Sequence, residues 1–269
     1  MSDPSGMSRQ STGQANPLGR AGGGADSFQT THWTEILRAH TEHAGRRREV
    51  VGGILARYWR PVYCYLRRKG HQDAEAMDLT QGFFQEVVLG RELIQQAERK
   101  IGKFRTFLLT ALNRYVTSVH RAETAKKRRP AEGLVRLDGL ESAAAFEPAS
   151  HGTPDDAFHY AWAQHLLDEV LAEVRGECVG RGHEAHWAVF QARVLDPIMA
   201  GAEPLPLPDL CARHGIADEA TASNMVVTVK RAFQAALRRR VREFVDSETQ
   251  VEGEIRDMMD ALSSSRAGP

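Results

Sequence analysis

The sequence predicts an all-α protein of two helical domains joined by a flexible linker, the second domain a helix-turn-helix. Three observations carry this. Apolar residues recur at helical spacing in most segments, and no convincing strand or internal repeat appears. Pro130, Pro148 and Pro154, set among Gly, Ser and Ala, divide the chain across residues 130–154, where periodicity lapses. After Pro208, a short apolar helix, a glycine and a long basic helix follow one another.

Taken in order, residues 1–27 are rich in Gly, Ser and Gln and hold too few apolar groups to offset ordering entropy, so a disordered tail is expected. The first domain is expected over 28–129. Thr31 or Thr34 can cap a short helix through His40. A long helix follows from Arg47 to Lys69, with Ile54, Leu55, Tyr58, Val62 and Leu66 on its apolar stripe. Pro61 inside it predicts a kink or a junction, and Gly70 a stop. The next helix runs from about Asp73, a candidate cap, to Leu89. Ala76, Leu79, Phe83 and Val87 form its apolar face, and Asp78, Gln81, Gln85 and Glu86 lie on the other side. Gly82 mid-helix costs about 1 kcal/mol relative to Ala, which predicts close approach of another backbone. After a short segment at Arg91 to Ala97, a helix from Phe104 to Lys127 carries Phe104, Phe107, Leu108, Ala111, Leu112, Tyr115 and Val116 on one face. Pro130 ends it.

The second domain is expected over 155–246. Asp155 or Asp156 caps a helix to about Cys178, which Gly180 and Gly182 break. A helix from Glu184 to Val194 precedes a Pro/Gly loop through Pro206. Pro208 to His214 is a short helix ended by Gly215, and about Thr221 to Val245 a long one. Residues 247–269 are read as an amphipathic extension with a helix from Glu248 to Leu262. It carries Glu248, Glu252, Glu254, Asp257 and Asp260 against Arg256. Two roles fit it: masking the basic stretch Arg238 to Arg242, or packing through Val251, Ile255 and Met259.

A formal net charge of zero over 269 residues argues against coating nucleic acid by bulk charge, but local basic faces exist. Six Lys/Arg and no acid lie between Lys230 and Arg242; six against Glu123 alone lie between Arg114 and Arg129. Cys64, Cys178 and Cys211 are too few and scattered for a disulfide framework, so a reducing cytoplasm is expected. No apolar run approaches the roughly 18 residues of a membrane span. Enzyme chemistry finds no support: there is no phosphate-binding loop, no nucleophile elbow and no paired acids. His183 and His186 are spaced i, i+3, where a zinc-protease helix needs i, i+4, so neither metal nor cofactor is expected.

The pattern from Pro208 onward points to DNA. Leu210, Ile216, Val226 and Val229 would pack the two helices, and the second would enter a major groove N-terminus first. Thr221, Ser223, Asn224 and Thr228 would reach base edges or phosphates. Lys230, Arg231, Arg238 and Arg242 would meet phosphates further along. A solvated helical hairpin is the plain alternative.

Asp78-Leu79-x-Gln81-x-x-Phe84 resembles the core-binding helix of bacterial RNA polymerase sigma factors of the extracytoplasmic-function type. Tyr58-Trp59-Arg60-Pro61-Val62-Tyr63-x-Tyr65-Leu66-Arg67 resembles the first helix of that family's N-terminal domain. Phe104-Arg105-Thr106-Phe107-Leu108, continuing to Arg121, resembles the helix that holds the melted downstream promoter element. The second half resembles the domain reading the upstream element. The resemblance covers about residues 28–245. It implies that Asp78, Gln81, Gln85 and Glu86 bind core RNA polymerase. It further implies that Arg105, Arg114, Arg121, Lys126, Lys127, Arg128 and Arg129 hold promoter DNA. It leaves an anti-sigma factor open as a third partner. One departure is the spacing from Gly215 to Arg231, longer than usual by about one helical turn: either the turn is extended or the recognition helix starts early. A helix-turn-helix regulator acting without polymerase, and a helical scaffold with no DNA role, are the competing readings.

Overall fold

The computed structural model describes residues 44–88, 103–126, 152–243, 245 and 247–264. The described residues are helical with no strand, as expected. The tail, the short helices expected near His40 and Arg91, residues 127–129 and the linker up to residue 151 lie outside them.

Helix α1, Ala44–Arg68, runs unbroken through Pro61. It stops where the sequence put the stop: Gly70 takes φ +104°, and the amides of Gly70 and His71 close back on Arg67 and Leu66. Helix α2, Asp73–Phe83, begins at Gln72 with no side-chain cap. Asp73 does not cap it; its carboxylate accepts a 2.5 Å hydrogen bond from the Tyr63 hydroxyl. A π turn over Phe84–Val88 extends α2, and Phe83 and Phe84 are both buried. Helix α3 is Phe104–Lys126 and α4 is Pro154–Gly180. The α4 cap is Thr153, in a capping box with Asp156, rather than Asp155 or Asp156 itself. Helix α5, Glu184–Phe190, passes through a π turn into α6, Asp196–Ala200, so the expected loop starts only at Gly201. Helices α7, Leu207–His214, α8, Glu219–Arg242, and α9, Glu248–Ser264, complete the order.

The two halves share one core. The widest helix pairing joins α1 to α4. One continuous cluster includes Ile54, Tyr58, Phe83 and Leu108 of the first half with Phe158, Trp162, Leu166 and Val170 of α4 and Val251 and Met258 of α9. The break in composition across 130–154 therefore divides the sequence without dividing the core. Each half presents an apolar stripe wide enough to need the other. A smaller cluster of Val189, Leu210, Ile216 and Ala222 holds α7 and α8 together.

Glycine 82 answers its own question. A Cβ there would overlap the Tyr115 hydroxyl of α3, so the close approach is by a side chain and not by a backbone. Among the described residues, no helix is long and apolar enough to cross a membrane.

Candidate nucleic-acid interface

Helix α7 ends at Gly215, in the left-handed region at φ +64°, and the Ile216 amide closes on the Cys211 carbonyl at 2.9 Å. Three residues later Asp218 caps α8, its carboxylate accepting from the Thr221 amide at 2.6 Å. Hydrogen bonds from Thr221 hold that carboxyl below its ordinary pKa. The connection is short, and α8 starts at Glu219, two residues before Thr221. Asp218 followed by Glu219 and Ala220 is a start signal that sequence reasoning passed over.

Thr221 falls in the first turn, half-buried, with its amide spent on the cap. Ser223, Asn224, Val227, Thr228, Lys230 and Arg231 are exposed. Asn224 lies inside the helix, well past the Asp218 cap. The Thr228 hydroxyl donates to the Asn224 carbonyl at 2.8 Å, leaving an oxygen and a methyl to face outward. Val227, an exposed apolar group in the middle of this polar face, was not among the expected contacts. Its place becomes visible only once the helix register is known.

The C-terminal half of α8 meets other protein. Arg242 is held by both carboxylate oxygens of Glu248 at 2.8 Å, which keep the Glu248 carboxyl below its ordinary pKa. Arg238 pairs with Glu252, also of α9. Arg239 and Arg240 turn away, as their helical positions require, to Glu173 of α4. The expected C-terminal helix thus pairs with Arg238 and Arg242, and it packs: Val251 and Met258 are buried, whereas Met259, expected inside, is 53% exposed.

The first half brings together fewer of its expected residues. Asp78 and Glu86 are exposed, and Gln81 and Gln85 half-buried, along the side of α2 away from Ala76, Leu79 and Phe83. Arg114 and Arg121, seven apart on α3, are exposed. Lys126 ends α3, and Lys127, Arg128 and Arg129 lie outside the described residues. Arg105 is a correction. It is 6% exposed, its guanidinium 4.5 Å from the Trp162 ring centre and paired with Glu254 at 2.8 Å and with Asp257. It cannot touch nucleic acid in this arrangement, because α9 lies over it. Lys103 joins the same cluster, 2.6 Å from both Glu254 and Asp257. Burial pushes the Asp257 carboxyl up, and bonds from Lys103 and Arg105 more than offset this, leaving it below the ordinary range.

The two spaced histidines, His183 and His186, stack at 4.6 Å beside Cys178. Among the described residues, no three metal-ligating side chains gather. Comparison with protein-family models, curated proteins and solved structures finds no match in any of the three.

Proposed function

We propose that this chain is a promoter-specificity (sigma) subunit, without catalysis of its own, that works in the cytoplasm by bringing core RNA polymerase to promoter DNA. The observation that carries the reading is the short α7, the tight Gly215 turn and the bare, acid-free N-terminal face of α8 after Glu219. That is the arrangement by which a helix-turn-helix enters a major groove. Asn224 can pair with adenine through both polar atoms, Val227 can lie against a thymine methyl, and Lys230 and Arg231 can meet phosphates. The exposed edge of α2, with Asp78 and Glu86, is the surface assigned to the polymerase, on the sequence resemblance.

The test is a pull-down with core polymerase followed by run-off transcription on genomic fragments. The reading expects a complex and discrete transcripts absent from core enzyme alone. Asp78→Arg should weaken the complex while circular dichroism stays unchanged. A folded chain that binds duplex DNA but never core polymerase contradicts this reading. It supports instead a regulator acting alone, which the burial of Arg105 in a core shared by both halves also favours.

A further inference from the structure

Helix α9 touches cations from both halves of the chain. Its buried stripe, Val251, Glu254 and Met258 at i, i+3 and i+7, faces the core. On one flank, Glu248 and Glu252 hold Arg242 and Arg238 of α8. On the other side, Glu254 of the buried stripe and the neighbouring Asp257 hold Arg105 and Lys103 around the start of α3. The span from Glu248 to Asp257 is about 13 Å of helix. Within it, four carboxylates occupy four of the cations nearest the DNA-reading helix and the first-half strand-holding helix.

The two flanks differ in what release would cost. Glu248 and Glu252 are about half-exposed, so their pairs exchange readily with water and with competing anions. Glu254 is 1% exposed and Arg105 is sealed between it and Trp162, so that end is an anchor. Arg231, Arg238 and Arg242, seven and four apart, share a face of α8 that continues from the bare half. Two of those three are ion-paired with α9.

We infer that α9 is an acidic strap, hinged on the buried Arg105–Glu254 pair, whose Glu248 and Glu252 occupy the arginines that would otherwise meet DNA phosphates. Duplex DNA and the strap then compete for Arg238 and Arg242, and DNA binding is held below what α8 alone would reach. The inference rests on the DNA-binding reading above.

The full chain carrying Glu248→Gln and Glu252→Gln tests it, with the Glu254 anchor left intact. The probe is a short fluorescein-labelled duplex of mixed sequence, titrated at several salt concentrations. Freeing two arginines should steepen the slope of log K against log salt by about 0.9 for each. Arg238→Ala should then weaken binding far more in the Gln variant than in the unaltered chain, because in the unaltered chain the same change also removes the Glu252 pairing that competes with DNA. Amide exchange in the first turns of α9 should also speed up when DNA is added to the unaltered chain. Binding with the same salt slope in both chains, and an equal effect of Arg238→Ala in both, overturns the strap and leaves the DNA reading standing. Failure of both chains to bind duplex at low salt overturns the DNA reading and the strap with it.

Discussion

The N-terminal and C-terminal halves of α8 belong to one unbroken helix and meet opposite surroundings. Around Asn224 the outer face is polar, uncharged or basic, and bare. Around Arg240 each arginine has a carboxylate from α4 or α9, or Glu243 at the end of α8 itself, within reach. Basic residues in sequence are therefore poor guides to where nucleic acid would lie: the richest run, Arg238 to Arg242, is the part most taken up by the protein itself. The same division runs along α2. One side is fixed by Gly82 against Tyr115 and by the buried Thr80 hydroxyl on the Ala76 carbonyl at 2.7 Å. The other side, with Asp78 and Glu86, is open. The contrast says which groups hold the fold and which it leaves open.

Attacking the held side should cost most. Glu254→Ala leaves Arg105 buried without its main partner and should destabilise by about 3–5 kcal/mol, read as a fall in the denaturation midpoint. Replacing both residues by apolar ones of similar volume should recover much of that loss, which separates a buried unpaired charge from a missing contact.

Gly82→Ala should cost about 1–3 kcal/mol through overlap with Tyr115, and Tyr115→Phe in the same chain should restore part of it. An unchanged melting temperature in Gly82→Ala would mean that α2 and α3 are less closely packed than described.

Acid should loosen the strap before the shared core. The Asp257 pKa is below its ordinary 3.8, so its contribution is complete above that pH and is lost as pH falls through the folded value. Half-exposure and solvent screening keep the effect under about 1 kcal/mol. The expected readout is faster amide exchange across α9 below that pH in the unaltered chain, and a weaker pH response in Asp257→Asn.

Most helices were legible because their apolar stripes are long and regular, and Gly70 and Gly215 stop α1 and α7 as expected. The wrong caps at α2 and α4 came from choosing an acid one or more residues inside the helix. The clearest loss was Arg105. Beside Phe104 in a basic, aromatic stretch it reads as a nucleic-acid contact, and its partner Glu254 lies 149 residues away. Charge pairing at that distance leaves no local pattern. Glu254 also explains the misplaced Met259: a buried carboxylate on the core side of α9 turns the stripe so that Met258 points inward. The shared core was hidden for a related reason, since a Pro/Gly-rich stretch marks a break in periodicity and says nothing about whether the flanking stripes face each other.

The open half of α8 can be tested without disturbing the rest. Asn224 is exposed and accepts no role in the cap, so Asn224→Ala should leave the melting temperature unchanged. Selection from a pool of random duplexes, run with the unaltered chain and with Asn224→Ala, tests the proposed reading role directly. The account predicts a defined preferred site for the unaltered chain. It also predicts loss of about 1–3 kcal/mol of discrimination at one base pair in the variant, at the same salt slope. The same preferred site with the same discrimination in both chains would contradict it.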